Sequence, residues 1–415
     1  MSEHGKNKGW LVTFSGTGIN LALGILYTWS VFKAAIERPL SEGGFGWDVG
    51  SSSLFINTNT PYAVCCLVFA FAMILAGKCQ DKFGPKVTAF IGGVLVSLGL
   101  IWISTTPDFL AWVIGFGVFA GAGIGFGYSA ATPPALKWFP PSKTGLIAGL
   151  VVAGFGLASV YIAPLSTFLL GAYGIQKSML IFGVAFLIVV CGLSLMLMNP
   201  PAGYKPEEVH FEGSPKPAAK PQNDVGPSEM IKSGAFYITW LIYFIGAGAG
   251  LMVISSVSGM AKKSLGSLAF VAVAVMAIGN AGGRILAGLL SDKVGRRLTL
   301  TIMLLFQCAL MLIAIPVVKS SSAVILVLLA TFIGFNYGTN LSLFPSITKD
   351  NWGLKNFGIN YGIVFTAWGV GGFVMPILHQ NLYNRFGHVY SYSFITAAVL
   401  LFLGACLTFA LKKEK

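Results

Sequence analysis

Two stretches of this chain, "GKCQDKFGPK" (Gly77 to Lys86) and "GLLSDKVGRR" (Gly288 to Arg297), share the pattern G-x-x-x-D-K-x-G-x-K/R at a separation of 211 residues. Each closes a long apolar run, and each such run is the second in its half of the chain. A weaker echo pairs "LKWFPPSKTGLIAGL" (Leu136 to Leu150) with "LSLFPSITKDNWGLKNFGINYGI" (Leu341 to Ile363). The chain therefore reads as a duplicated unit, and the apolar runs between the motifs say which solvent it folds in.

Hydrophobic residues make up 55% of the 415 and charged residues only 10%, with a mean hydropathy of +0.78. A soluble domain carries about 25% charged residues, so this chain could not cover its surface in water. A helix spans a bilayer with about 20 mainly apolar residues. Twelve stretches qualify: 10–33, 55–77, 87–105, 109–133, 145–170, 178–198, 234–257, 267–290, 298–318, 322–344, 358–378 and 390–411. Transmembrane strands would be shorter and would alternate polar with apolar, which "LIFGVAFLIVVCGLSLMLM" (Leu180 to Met198) does not. The expected fold class is an all-α membrane protein with twelve transmembrane helices.

The longest polar break, Asn199 to Gly234, is rich in Pro, Lys and Glu and cannot bury a core, so it reads as a flexible linker. It divides the chain into an N-terminal six-helix bundle (1–198), a linker (199–233) and a C-terminal six-helix bundle (234–415). The opening "MSEHGKNKGW" runs into the first span with no small-residue cleavage site and reads as a retained helix, not a signal peptide.

The formal net charge of +13 suggests a nucleic-acid partner only until the basic residues are placed. With an even number of spans, nineteen fall on the side of the termini and seven, Lys33 at the end of the first span among them, on the other; Arg284, deep in a span, completes the 27. By the positive-inside rule both termini are cytoplasmic. The charge is a topology signal in a cell (inner or plasma) membrane protein whose solvent partner is the lipid bilayer, and no nucleic acid is implied. The six cysteines lie in or beside spans without metal-type spacing and are expected as free thiols. In "GFGVFAGAGIGFG" (Gly115 to Gly127), Gly117, Gly121 and Gly125 recur every four residues, which is helix packing and not a phosphate cradle. His379 and His388 flank the last loop and read as plain loop histidines. No metal cluster, cofactor motif or catalytic constellation appears, so no metal, no cofactor and no enzymatic activity are expected.

With its paired motif the whole chain resembles the major facilitator superfamily, whose signature follows the second helix and recurs after the eighth. The resemblance implies two pseudo-symmetric six-helix halves working by alternating access, with the substrate held between them, and a functional monomer. It further implies that Asp81 and Asp292, with Arg296, make gate contacts on the cytoplasmic side. Gly77 and Gly84, like Gly288 and Gly295, are expected to allow the tight turn there.

Arg284 is the outlier. A charge near the bilayer centre costs about 3 kcal/mol on insertion scales, and every Asp and Glu can be placed in tails, loops or helix ends. One reading is snorkelling, since Ser291 lies roughly 10 Å further on at about 1.5 Å per residue. The other is a substrate site. Gly279, Ala281, Gly282, Gly283 and Ala287 would leave room beside the guanidinium, the equivalent first-half position is Met73, and an unpaired guanidinium is a fork-shaped receptor for a carboxylate. Polar and aromatic residues at membrane depth join it as candidates: Asn280 one turn earlier, Tyr27, Tyr128, Asn336 and Tyr337, with Phe365 and Trp368 as an apolar wall.

The helix-eight arginine, "LKWFP" and "GINYGIVFTAWGVGG" look like the monocarboxylate transporter family and its microbial relatives, the oxalate:formate antiporter family, and most of all the lactate carriers of bacteria. That resemblance implies an arginine that binds the substrate carboxylate. Two departures follow. Helix eleven has Trp368 where oxalate-type members have a lysine, so one cation implies one carboxylate. Asn280 stands where many animal members have an aspartate, so a proton carrier is missing. The expectation is a secondary active transporter of a short-chain monocarboxylate, of lactate or pyruvate type, moved with a proton. The alternatives are a carboxylate:carboxylate antiporter or, less, a non-transporting carboxylate sensor, for which the linker and tails are too short and polar to supply a signalling domain.

Overall fold

The computed structural model describes residues 8–47, 56–140, 144–201, 203–204, 224–320, 322–353 and 356–411, and the regular structure among them is all helical. Ten helices are long and apolar enough to cross a bilayer. Two of these are pairs of spans joined at a glycine with positive φ, Gly84 (φ 81°) and Gly174 (φ 75°), which brings the spans to twelve. In chain order they are α1 (Gly9–Ile36), α2 (60–83), α3 (85–103), α4 (Phe109–Lys137), α5 (144–173), α6 (175–194), α7 (Gly234–Ile254), α8 (Phe270–Val294), α9 (Arg296–Lys319), α10 (Ala323–Trp352), α11 (Phe357–Arg385) and α12 (Ser391–Ala410). A short helix, Val257–Leu265, continues the path of α7 after a break. Large apolar side chains such as Phe14, Leu75, Phe168, Ile188 and Phe409 remain exposed all around the bundle. In water that would be an aggregating surface; against lipid tails it is the matching one.

The helices outrun their apolar runs. α2 continues to 83, α10 to Trp352 and α11 to Arg385; at the ends of α10 and α11 polar residues find partners on other segments, Asp350 on Arg296 and Gln380 and Asn381 on Lys33 and Asn57. Two sequence readings change as a result. Lys33, read as the last residue of the first span and counted with the charges on the far side, lies inside α1 and is buried. His379 is no loop histidine: it lies within α11 at 1% exposure, its ring stacked on Tyr390. Of the expected linker, residues 202 and 205–223 lie outside the described residues. Its end is tied down where the Val225 N–H donates to the Trp352 carbonyl (3.1 Å).

The repeated motif folds as helix, turn and helix, not as a loop. α2 and α8 run straight through their motif aspartates, and the chain reverses at the eighth position only, Gly84 and Gly295 (φ 81° and 91°). An L side chain is disfavoured at such φ, and Pro85 follows at the first position of α3, where its missing N–H costs nothing. Gly77 and Gly288, expected to share in the turn, lie in regular helix with open space beside them. Their turn role is therefore corrected.

Close helix packing sets the positions of the site residues. Gly279 and Gly283 of α8 face the backbone carbonyls of Thr331 and Phe335, while Gly334 and Gly338 of α10 face those of Met276 and Asn280. Neither helix has room for a Cβ at these points, so α8 and α10 interlock at backbone distance. In the first six helices Gly117, Gly121 and Gly125 of α4 lie in the same way against the carbonyls of Pro61, Cys65 and Phe69 of α2. One contact fixes Arg284 relative to Tyr337; the other fixes Tyr128 relative to Phe69.

Candidate substrate site

Arg284 is 7% exposed, and two helices, its own α8 and α5, hold its guanidinium. Nε donates to Asn280 Oδ1 one turn back (3.1 Å), and Nη1 donates to the Val152 carbonyl of α5 (2.8 Å). Nη2 is buried and has no hydrogen-bond partner. Space for the guanidinium comes from α5, where a Cβ on Gly156 would stand 3.4 Å from Cζ and Nε. The small residues of α8 serve otherwise, since Gly279 and Gly283 pack on α10 and Gly282 has nothing beside it. The guanidinium thus points into the bundle and donates there, rather than reaching along the helix to the headgroups.

Hydroxyl groups surround it. The Tyr27 and Tyr337 oxygens are 2.6 Å apart, and Trp368 Nε1–H donates to the Tyr337 oxygen (2.8 Å). An indole can only donate, so Tyr337 accepts from Trp368 and its own proton is free for Tyr27. Tyr27 is brought here by the tighter winding of α1 over Gly24–Thr28. Tyr27, Tyr128, Tyr337 and Tyr361 all lie within electrostatic reach of the Arg284 guanidinium. Around this polar group lies an aromatic wall. Phe365 stacks on Trp368 (5.0 Å between centroids), Phe69 meets Trp368, Phe365 and Tyr128, and Phe155 meets Tyr27 and Tyr128. Such edge and stacked contacts add about 0.5–1.5 kcal/mol each beyond burial.

The structure thus brings together Arg284, Asn280, Tyr27, Tyr128, Tyr337, Phe365 and Trp368. Asn336 does not join them. It faces the interior of the last six helices, where it lines a cavity of about 10 Å³ with Gly246, Leu304, Gln307 and Asn340, and both its amide atoms are without partners. Asn336 and Tyr337 point about 100° apart on α10, and here that turns Tyr337 toward Tyr27 and Trp368 and Asn336 toward Gln307 and Asn340. Three contributors were not read from the sequence: Phe69, Phe155 and Gly156. An isolated Gly or Phe in an apolar run carries no signal, because its role depends on which helix lies opposite.

Two polar networks lie above and below. On the motif face Arg296 contacts Asp292 and the Ser291 hydroxyl, and its Nε donates to Asp350 Oδ2 at the end of α10 (3.2 Å). These contacts tie α8, α9 and α10 to one another. Asp81 is exposed. On the opposite face the two ends of the chain are joined directly: Lys33 Nζ donates to Gln380 Oε1 (2.6 Å), Asn59 Nδ2 to the Pro376 carbonyl (3.1 Å), and Asn57 Nδ2 to Asn381 Oδ1 (3.3 Å). In this conformation that face is closed across α1, α2 and α11.

Twelve membrane-spanning helices around a buried cation, with polar bonds sealing one face, are the architecture of a membrane transporter. The chain belongs to the Major Facilitator Superfamily, whose family model matches residues 9–376 and 240–415. It is 28% identical over 383 residues to the uncharacterized MFS-type transporter YhjX of Escherichia coli (87% of this chain, 85% of that one). It is 24% identical over 405 residues to the oxalate:formate antiporter of Oxalobacter formigenes (95% and 93%), and 24% identical over 412 residues to monocarboxylate transporter 13 of Bos taurus (96% and 88%). A partially occluded inward-open structure of the xylose transporter XylE from E. coli shares the fold, with a TM-score of 0.69 at 13% identity over 98% of this chain and all of that one.

Proposed function

We propose that this transporter carries a short-chain monocarboxylate, of lactate or pyruvate size, together with a proton. The observation that carries the reading is Nη2 of Arg284, a buried charged donor without a hydrogen-bond partner in this conformation, with Tyr27, Tyr128 and Tyr337 in electrostatic reach of the guanidinium and Tyr128 interacting with it directly. Such a donor left unmet costs about 1–3 kcal/mol or more, and a carboxylate is the planar acceptor that meets it. The substrate carboxylate takes Nη2 and competes with the Val152 carbonyl for Nη1, while Asn280 holds Nε and fixes the fork. Tyr27, Tyr128 and Tyr337 orient the hydroxyl or keto oxygen, and Phe365 and Trp368 flank the alkyl end. The similarity to proteins named for oxalate, formate and monocarboxylates supports this substrate class. With no acid among these groups, the proton travels on the anion and Arg284 jointly, and loss of net charge lets the halves rock.

The moving bodies in this reading are 1–198 and 234–415, joined by the linker, in a monomer with both termini cytoplasmic. Asp81 and Asp292, with Arg296, close the motif face when the opposite face opens. The deciding experiment is uptake of radiolabelled L-lactate into proteoliposomes, with and without an imposed inward proton gradient, for the wild type and Arg284→Ala. Gradient-driven uptake that acidifies the lumen and is lost in the variant supports the reading. Uptake indifferent to the gradient and accelerated by internal carboxylate supports exchange instead, the second reading, which the oxalate:formate antiporter similarity favours. Unimpaired uptake by Arg284→Ala would remove Arg284 from the site.

A further inference from the structure

Lys33 is a second buried basic residue, further along α1 than Tyr27 and unused by the transport scheme above. It is 8% exposed, and among the described residues its nearest carboxylate is Glu37, one turn on, at 3.9 Å. That carboxylate oxygen already accepts from the Thr58 hydroxyl at 2.7 Å. The shortest bonds of Lys33 go to neutral oxygens, Gln380 Oε1 (2.6 Å) and Ser256 Oγ (3.4 Å). A desolvated ammonium held mainly by neutral acceptors is under-compensated, so an anion that reached Nζ would replace these bonds at a gain.

Space for such an anion lies beside it. A cavity of about 270 Å³ is lined by Lys33, Arg38, Lys262 and His379, with Glu37, Glu42 and Gln380. The lining includes the end of α1, the helix after α7 and α11, so it sits where the two ends of the chain meet on the opposite face. Three basic side chains, Lys33, Arg38 and Lys262, stand against two carboxylates, Glu37 and Glu42, so the lining carries one net positive charge when all three are protonated and the imidazole is neutral. His379 also presents a buried Nδ1 with no hydrogen-bond partner.

We propose that this cavity is a second anion site, taking a small monocarboxylate that coordinates Lys33 Nζ and His379 Nδ1 and displaces Gln380 from the lysine. The choice of a carboxylate rests on the transport reading given above; the site itself rests on the cavity and its charges. A single negative charge completes the balance of the lining. Because Lys33 to Gln380 is one of the bonds that seal this face, occupation of the cavity loosens the seal from the side on which the anion arrives.

The experiment is saturation-transfer NMR on the full chain in lipid nanodiscs, with acetate and L-lactate as separate probes and chloride as competitor. The Arg284→Ala variant removes the central site and is expected to keep a transfer signal from both probes. Adding Lys33→Met is expected to reduce that signal at least fivefold. Arg38→Gln with Lys262→Gln, both on exposed side chains, is expected to weaken it about threefold even where Lys33→Met compromises folding, as judged by gel filtration. Loss of the whole signal on Arg284→Ala alone would mean a single site and overturn the proposal. A signal that survives Arg284→Ala with Lys33→Met in well-folded protein would also overturn it, as would displacement by chloride at the same concentration as by acetate. Failure of L-lactate uptake in proteoliposomes would instead count against the transport reading, since the NMR signal does not depend on translocation.

Discussion

Arg284 is fixed at two of its three nitrogens, by Asn280 within its own helix and by Val152 across the bundle, and its function rests on the third. That geometry is specific to a guanidinium. Arg284→Lys keeps the charge but cannot meet Asn280, Val152 and a carboxylate together. Charge-assisted hydrogen bonds contribute about 1.5–3 kcal/mol and a factor of ten corresponds to about 1.4 kcal/mol, so its half-saturation in counterflow is expected to rise at least tenfold. An unchanged value would mean that charge alone suffices. Gly156 makes the complementary test. Its hypothetical Cβ stands at ordinary contact distance from the guanidinium, so Gly156→Ala is expected to change transport less than threefold. Gly156→Leu fills the space that the arginine occupies and is expected to abolish transport in protein that still folds. Equal activity of the two variants would show that the guanidinium does not depend on that space.

At the scale of the helix, what matters is how near two backbones come. α8 and α10 meet at four glycines, each facing a carbonyl of the other helix. Gly283→Leu overpacks this contact, at a cost of typically 1–3 kcal/mol, and is expected to lower the unfolding midpoint followed by tryptophan fluorescence. Gly282→Ala, with open space beside it, is the matched control and should leave the midpoint unchanged. The two motif glycines differ in the same physical way. Gly84 holds a turn at φ 81° and ψ 171°, a region essentially open to glycine alone that costs an L residue about 1–3 kcal/mol, whereas Gly77 lies in regular helix. Gly84→Ala is therefore expected to destabilise the protein and Gly77→Ala to leave it unaffected. Equal effects from both would return the first glycine to the turn.

For the molecule as a whole, the closed face makes a prediction about motion. Asn59 and Gln380 approach to 3.5 Å across that face, so cysteines at these two positions, in a chain freed of its native thiols, are within reach of a short cross-link. Cross-linking is expected to stop transport and reductant to restore it; full transport with the link complete would mean that this face need not open. The sequence by itself determined the membrane class, the twelve helices, the duplicated motif and the presence of one cation in an apolar run. It could do so because bilayer thickness, helical rise and the cost of a charge in hydrocarbon all act within a single segment. Tertiary structure alone decided which neighbours those residues have. It turned Asn336 away from Tyr337's pocket, supplied the space at Gly156, and converted Lys33 from a span-end residue and His379 from an apparent loop residue into buried ones. These outcomes depend on contacts between segments more than a hundred residues apart, Val152 with Arg284 and Lys33 with Gln380. No periodicity within one helix encodes which carbonyl or amide of another helix will lie at hydrogen-bond distance.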